Sequence, residues 1–236
     1  MTEIRTVPET TSTNSDMLAL AATGAEEGLW LRAEVQTAGR GRMGRGWESP
    51  IGNLYVSTLV RLRPSDPPAP TLAFVAAVAL FDTCKSYAPA AAFALKWPND
   101  VLVGEAKISG ILLERAEDAV VIGMGVNLGF HPVGLDRPVT SFAAMGVDRP
   151  DPGHFCEDLA GCFGEWLGIW RAGGLDAIRG AWTSRAFAEG TAIFANLPDG
   201  TSLSGSFAGL GGDCALLLRL ADGQTRAIHA GDVFLV

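Results

Sequence analysis

Lysine is scarce in this 236-residue sequence: of its 18 basic residues only Lys85, Lys96 and Lys107 carry an ammonium, so ordinary surface cations are arginines. Glutamine occurs twice and asparagine five times, which gives weight to a site-specific need wherever an ammonium or a carboxamide does occur. Four cysteines (Cys84, Cys156, Cys162, Cys214) without CxxC spacing signal no disulfide framework, and three widely separated histidines signal no zinc site. Those isolated histidines, with no GxSxG segment, also leave no candidate Ser-His-Asp set. Positive charge is in deficit, 18 basic against 26 acidic residues for a net −8. That balance opposes a broad footprint on nucleic acid or anionic lipid, so any anion must be held by a local basic site. The longest apolar run, residues 72–81, falls short of the ~20 residues that span a bilayer. No basic-then-apolar leader opens the chain. Together these features predict a soluble, cytoplasmic protein without internal repeats.

What is present is enough for a core: 48% hydrophobic against 19% charged residues. The length fits one large domain, or one domain with a small appendage. Patterning predicts strands at residues 4–7, 29–35, 54–60, 93–96, 101–103, 107–114 and 120–126, and helices at 12–22 and 71–87. Asp151-Pro152 reads as a cap with proline in the first helical turn, followed at helical spacing by Phe155, Leu159, Phe163, Trp166 and Trp170. These aromatics read as core, and a second helix follows over 175–187. From residue 190 the texture changes to short β-runs divided by Asp-Gly and Gly-Gly turns. The expected division is a larger unit over 1–187 and a small β unit over 188–236.

Two segments carry chemistry. Residues 36–53 form a long loop with five glycines and three arginines. The glycines let backbone amides approach a ligand, and the guanidiniums suit phosphate or carboxylate oxygens. Composition alone leaves a solvated or RNA-binding Arg-Gly loop open, and the pattern is neither a Walker loop nor a dinucleotide fingerprint. Lys96-Trp-Pro-Asn-Asp100 puts an ammonium, an aromatic, two hydrogen-bonding groups and a carboxylate at a strand end, where Pro98 forces a turn. A hairpin closed near Gly104 returns Lys107 alongside Asp100, unless this is only a surface salt bridge worth ~0–1 kcal/mol. Several cations, one or two carboxylates able to hold Mg²⁺ and no histidine base suit phosphoryl transfer or adenylation, in which positioning and charge neutralisation do most of the catalysis.

Five motifs in order, Ser12-Thr-Asn14, Gln36-Thr-Ala-Gly-Arg-Gly-Arg-Met-Gly-Arg-Gly-Trp47, Lys96-Trp-Pro-Asn-Asp100, Lys107-Ile-Ser-Gly-Ile-Leu-Leu-Glu114 and Gly123-Met-Gly-Val-Asn-Leu128, closely resemble the biotin protein ligases, biotin–[acetyl-CoA-carboxylase] ligases. The resemblance covers nearly the whole chain. It implies an α+β catalytic domain with a largely antiparallel mixed sheet, like class II aminoacyl-tRNA synthetases, plus a small SH3-like C-terminal β-barrel. It implies ATP-dependent formation of biotinyl-5′-AMP and transfer of biotin to a lysine of a biotin carboxyl carrier protein or domain, with ATP, Mg²⁺ and biotin as the small molecules. By the resemblance, Ser12, Thr13, Asn14, Gln36, Gly39, Arg40, Gly41, Arg42, Trp47, Lys107 and Gly110 would surround biotin. Arg40, Arg42, Lys96, Trp97, Asn99, Asp100 and Asn127 would serve ATP. Arg40, Lys107 and Asp100 would be catalytic, Asp100 as proton acceptor for the incoming amine or as a Mg²⁺ ligand. Met43 stands where relatives often carry a base. With eleven residues before Ser12, no DNA-binding winged helix and no membrane partner is expected; a homodimer stays open. Segments 64–92 and 129–150 suggest no function. The rival is lipoate or octanoate ligation or transfer on a related fold, against which the polar Ser12, Thr13 and Gln36 weigh.

Overall fold

The computed structural model describes residues 3–235. Seven strands, β1 (Glu3–Thr10), β2 (Leu29–Gln36), β3 (Leu54–Arg61), β4 (Phe93–Lys96), β5 (Asp100–Val103), β6 (Ala106–Ala116) and β7 (Ala119–Val126), form one sheet in the order β1-β2-β3-β7-β6-β5-β4. Only β1 and β2 run parallel, because helix α1 (Thr13–Ala22) lies between them as a crossover. The remaining pairs are antiparallel hairpins or neighbours.

The two faces of the sheet are covered unequally. Met17 and Ala21 of α1 pack on Leu29, Leu31, Leu59, Ala119 and Val121, which cover one end of one face. The opposite face is sealed by α2 (Leu72–Tyr87) and α3 (Pro152–Thr183), whose Leu72, Val75, Phe155, Leu159, Phe163 and Trp170 meet Trp30, Val56, Val60, Ile122 and Met124. This two-sided burial explains why β3 and β7 read as near-continuous apolar runs. The apolar run of residues 72–81 belongs to this core, where Leu72 and Val75 to Leu80 are at most 1% exposed.

Asp151 caps α3 by accepting from the backbone N–H groups of Gly153 (2.8 Å) and His154 (3.0 Å). Gly174, at φ 68°, interrupts α3 where the sequence suggests the join of two helices. The second part stops at Thr183, short of residue 187, because the Arg185 carbonyl accepts from Leu95 N–H and Ala186 bridges to Leu95 beside β4.

Strands β8 (Ala192–Asn196), β9 (Ser202–Leu210), β10 (Leu216–Arg219), β11 (Thr225–Ile228) and β12 (Asp232–Leu235) make a second antiparallel sheet in the order β11-β10-β9-β8-β12. Its end strands β11 and β12 do not pair, so the small SH3-like unit implied by the resemblance is a five-stranded antiparallel sheet with open edges. The small sheet meets the large one at defined points: Trp97 Nε1 donates to the Cys214 carbonyl at 3.3 Å, and β12 borders the arginine loop described below.

Candidate active site

On the part of the α1 face that α1 leaves uncovered, register lines up residues distant in sequence. Tyr55 of β3 stands opposite Gly125 of β7, Gly125 opposite Gly110 of β6, Gly110 opposite Asp100 of β5, and Asp100 opposite Lys96 of β4. Directly opposed residues share a face, so these five form one row across the sheet. A neighbouring row runs Ser57, Gly123, Leu112. The glycines leave a floor without side chains, and the space is used: a Cβ on Gly125 would lie 2.7 Å from Trp47 Nε1, and one on Gly110 would lie 3.2 Å from the same indole. Trp47 thus packs against two strands, its Nε1 buried without an acceptor. The cleft above this floor encloses about 850 Å³, counting the part open to solvent.

One end of the cleft is a neutral hydrogen-bonding cluster. Gln36 Oε1 accepts from Thr13 N–H at 2.9 Å and from Thr13 Oγ1 at 3.1 Å, while Gln36 Nε2 donates to Ser49 Oγ at 3.0 Å. The Ser57 hydroxyl lies 2.7 Å from Thr13 Oγ1 and 2.6 Å from Asn14 Oδ1. Asn14 Nδ2 donates to Glu114 Oε2 at 2.8 Å, and its amide fills the space a Cβ on Gly123 would need. Ser12, the N-cap of α1, is 3% exposed and makes no capping bond with its side chain.

The other end is ionic. Lys107 Nζ lies 2.5 Å from Asp100 Oδ1, and Lys96 Nζ lies 3.4 Å from Asp100 Oδ2, with all three side chains at most 13% exposed. The hairpin through Gly104 does bring Lys107 to Asp100, as a buried cluster rather than a surface pair. Burial alone would raise the Asp100 carboxyl; Lys107, Lys96 and Arg137 overcome it and hold it below the usual carboxylate range. Burial pushes the Lys107 ammonium below its ordinary value against the pull of Asp100, and Arg137 and Lys96 add to the depression. The Lys107 ammonium also sits 5.3 Å from the Trp47 ring centroid, and that of Lys96 5.6 Å from the Phe234 ring.

This geometry bears on the two roles expected of Asp100. A carboxylate held down by two ammoniums is a poor proton acceptor. As a Mg²⁺ ligand it would have to share oxygens that each already face a lysine.

The arginine loop folds back on itself through an Arg40–Gly46 bridge, and each arginine already has an acidic neighbour. Arg40 Nη2 donates to Ser15 Oγ at 3.0 Å and to Glu114 Oε1 at 3.3 Å. Arg42 donates to Asn99 Oδ1 at 3.3 Å and lies 3.8 Å from Asp232. Arg45 holds both Asp232 oxygens, at 3.0 and 2.9 Å. Asn99 fixes this corner, since its Nδ2 donates to the Ile111 carbonyl at 2.7 Å.

The cleft brings together Ser12, Thr13, Asn14, Gln36, Arg40, Gly41, Arg42, Trp47, Lys96, Trp97, Asn99, Asp100, Lys107 and Gly110. Two expected site residues stand elsewhere. Gly39 is a packing glycine: a Cβ there would meet the Trp47 carbonyl at 2.5 Å and Ser49 Oγ at 2.6 Å. Asn127 is buried under the 129–142 segment, where its Nδ2 donates to the Thr140 carbonyl at 3.0 Å. Sequence reasoning missed Tyr55, Ser57, Arg137, Asp232 and Phe234, the last two from the small sheet. Only Tyr55 and Ser57 left a signal, as alternate residues of an apolar strand. The third lysine is structural, its ammonium on the Ala91 carbonyl at 2.8 Å.

Comparison with known proteins agrees with this arrangement. Residues 6–128 match the sequence model described as the biotin/lipoate A/B protein ligase family, and residues 191–236 match the biotin protein ligase C-terminal domain. The chain is 39% identical to the biotin–[acetyl-CoA-carboxylase] ligase of Paracoccus denitrificans, over 95% of this chain and 97% of that protein. It is 34% identical to the ligase of the same name from Mycobacterium tuberculosis, over 98% of this chain and 88% of that one. The solved biotin protein ligase of Aquifex aeolicus, in complex with biotin and ATP, shares the fold with a TM-score of 0.88 at 23% identity, covering 100% of both chains.

Proposed function

This chain belongs to the biotin/lipoate A/B protein ligase family, and on that premise we propose that it activates biotin with ATP and transfers the biotinyl group to a lysine of a biotin carboxyl carrier domain of acetyl-CoA carboxylase. The observation that carries the reading is the polarity of the cleft: a neutral hydrogen-bonding end, a glycine floor, and a cationic end. The floor spans three strand spacings from Ser57 on β3 to Asp100 on β5, roughly 14 Å, room for a polar ring and its acid chain laid across the sheet.

In the proposed pose the ureido ring meets Ser12, Thr13 and Gln36, the thioether ring lies between the glycines and Trp47, and the carboxylate reaches Lys107. That carboxylate is ionised at neutral pH and needs no base. It needs cations to let it approach the α-phosphate of ATP, and Lys107, Lys96 and the loop arginines supply them. A carboxylate oxygen bonds to the α-phosphorus, the bond to the β-phosphate breaks, and diphosphate leaves with the electron pair. The acceptor amine then attacks the acyl carbon, AMP leaves, and the amine's proton passes to solvent. Asp100 acts here by holding the two lysine ammoniums in place. Trp47 and the 39–46 loop keep water from the mixed anhydride.

Lipoate presents no ureido group and would offer the polar end formed by Ser12, Thr13 and Gln36 no hydrogen-bonding partner of its own. The test is to incubate the chain with magnesium ATP and either acid, and to follow diphosphate release and the acyl-adenylate by mass spectrometry. Biotinyl-AMP is expected. Lipoyl-AMP alone, or no adenylate with either acid, refutes the reading.

A further inference from the structure

Six cations line the cleft, Arg40, Arg42, Arg45, Lys96, Lys107 and Arg137, against two carboxylates, Asp100 and Asp232. Five of the six stand against an acid: Arg40 against Glu114, Arg42 and Arg45 against Asp232, and Lys96 and Lys107 against Asp100. Arg137 alone makes no ion pair and no side-chain hydrogen bond among the described residues.

The backbone that follows it is nevertheless tethered. Lys107 N–H donates to the Pro138 carbonyl and Thr140 N–H donates to the Lys107 carbonyl, each at 2.9 Å, so residues 138–140 run beside Lys107 as a short parallel bridge. Asn127 anchors the same segment by donating to the Thr140 carbonyl and by accepting at its own carbonyl from Phe142 N–H. The residue immediately before this tether is Arg137, which lines the same cleft as Asp100 and Lys107 and whose positive charge lowers both groups.

We propose that Arg137 is a nucleotide-phosphate ligand that stabilises the diphosphate leaving group during biotin adenylation. The inference rests on the adenylation reading above. A free guanidinium fork beside two ammoniums suits the non-bridging oxygens of a polyphosphate, while biotin brings a single carboxylate, for which Lys107 suffices. When the bond between the α-phosphorus and the bridging oxygen breaks, the β,γ-diphosphate gains the electron pair and one further negative charge. A cation whose backbone is tethered beside the cleft, with no ion pair to break first, turns onto that charge.

The experiment compares Arg137→Gln and Arg137→Lys with the unaltered full chain. Adenylation is followed by diphosphate release over a range of ATP concentrations, and biotin binding is measured by calorimetry without ATP. Transfer from supplied biotinyl-AMP to a carrier domain is measured separately. Arg137→Gln should raise KM for ATP and lower kcat, together costing roughly 10- to 100-fold in kcat/KM. The dissociation constant for biotin should stay within two-fold, transfer should lose far less than adenylation, and Arg137→Lys should recover part of the loss. Wild-type ATP saturation and rate in Arg137→Gln overturn the proposal. So does an equal loss in both half-reactions or in biotin binding, which would mark Arg137 as a support of the fold. Should the unaltered chain form no biotinyl-AMP, the adenylation reading itself falls, and that outcome is separate from the behaviour of the variants.

Discussion

Replacing Asp100 by asparagine keeps the side-chain shape and removes the counter-charge of two buried ammoniums. At an effective dielectric constant of ~20, the 2.5 Å contact with Lys107 is worth about 7 kcal/mol of Coulomb energy and the 3.4 Å contact with Lys96 about 5 kcal/mol. Desolvation offsets most of this, and removing one partner of a buried pair costs about 3–5 kcal/mol net. For a chain of this size each kcal/mol lowers Tm by roughly 2–4 °C. Urea unfolding at pH 7 should therefore show a loss of that order. The pH dependence gives a second readout. In the native protein the folded Asp100 value lies below the unfolded one, so its contribution is present above about pH 4 and is lost as pH falls through the folded value. The deficit of Asp100→Asn should accordingly shrink in acid. Lys107 gives a slope of the same sign in a higher window: its folded value is depressed, the unfolded chain binds more protons, and stability rises with pH toward the unfolded value of ~10.4. Without Asp100 that rise should begin at lower pH. An anion site relieved of its carboxylate should also bind inorganic diphosphate more tightly while adenylating more slowly. A variant within 1 kcal/mol of the native chain at neutral pH, with diphosphate affinity unchanged, would refute the reasoning.

Gly125→Ala puts a methyl where the Trp47 indole lies, 2.7 Å from Nε1, and should weaken biotin binding by roughly ten-fold, about 1.4 kcal/mol, by calorimetry. An unchanged dissociation constant would mean the indole and the floor play no part in the ring pocket. Asp232→Asn frees Arg42 and Arg45 from a partly exposed ion pair, so stability should change by less than about 1 kcal/mol. Biotinyl-AMP should nevertheless escape faster in rapid filtration, because the loop loses its anchor on β12. Thr71→Val removes the oxygen that accepts from Trp170 Nε1 at 2.8 Å and leaves a buried indole N–H unpaired. Calorimetric unfolding should show about 1–3 kcal/mol of destabilisation with adenylation kinetics intact.

The local alphabet of the fold was legible in the chain. The strand at 54–60 and the helix at 71–87 follow from apolar runs, the start of α3 from Asp151-Pro152, and the turn after Lys96 from Pro98. The chemistry was legible too, because lysine, glutamine and asparagine are rare enough that their clustering in five motifs stands out. Those are properties of neighbours in sequence, set by periodicity, capping and turn residues. Tertiary structure decided how the motifs meet. The row Tyr55, Gly125, Gly110, Asp100, Lys96 exists only through strand register, and a slip of one residue would turn each member to the other face. It also decided that Asp100 stands between two ammoniums, that Asn127 braces a loop, and that Asp232 and Phe234 of the small sheet reach the cleft. Arg137, in a segment whose composition says nothing, enters the site because residues 138–140 pair with the backbone of Lys107. Non-local pairing of this kind depends on which backbone groups remain free once the sheet has formed, and that is settled by the folded molecule as a whole rather than by any window of its sequence.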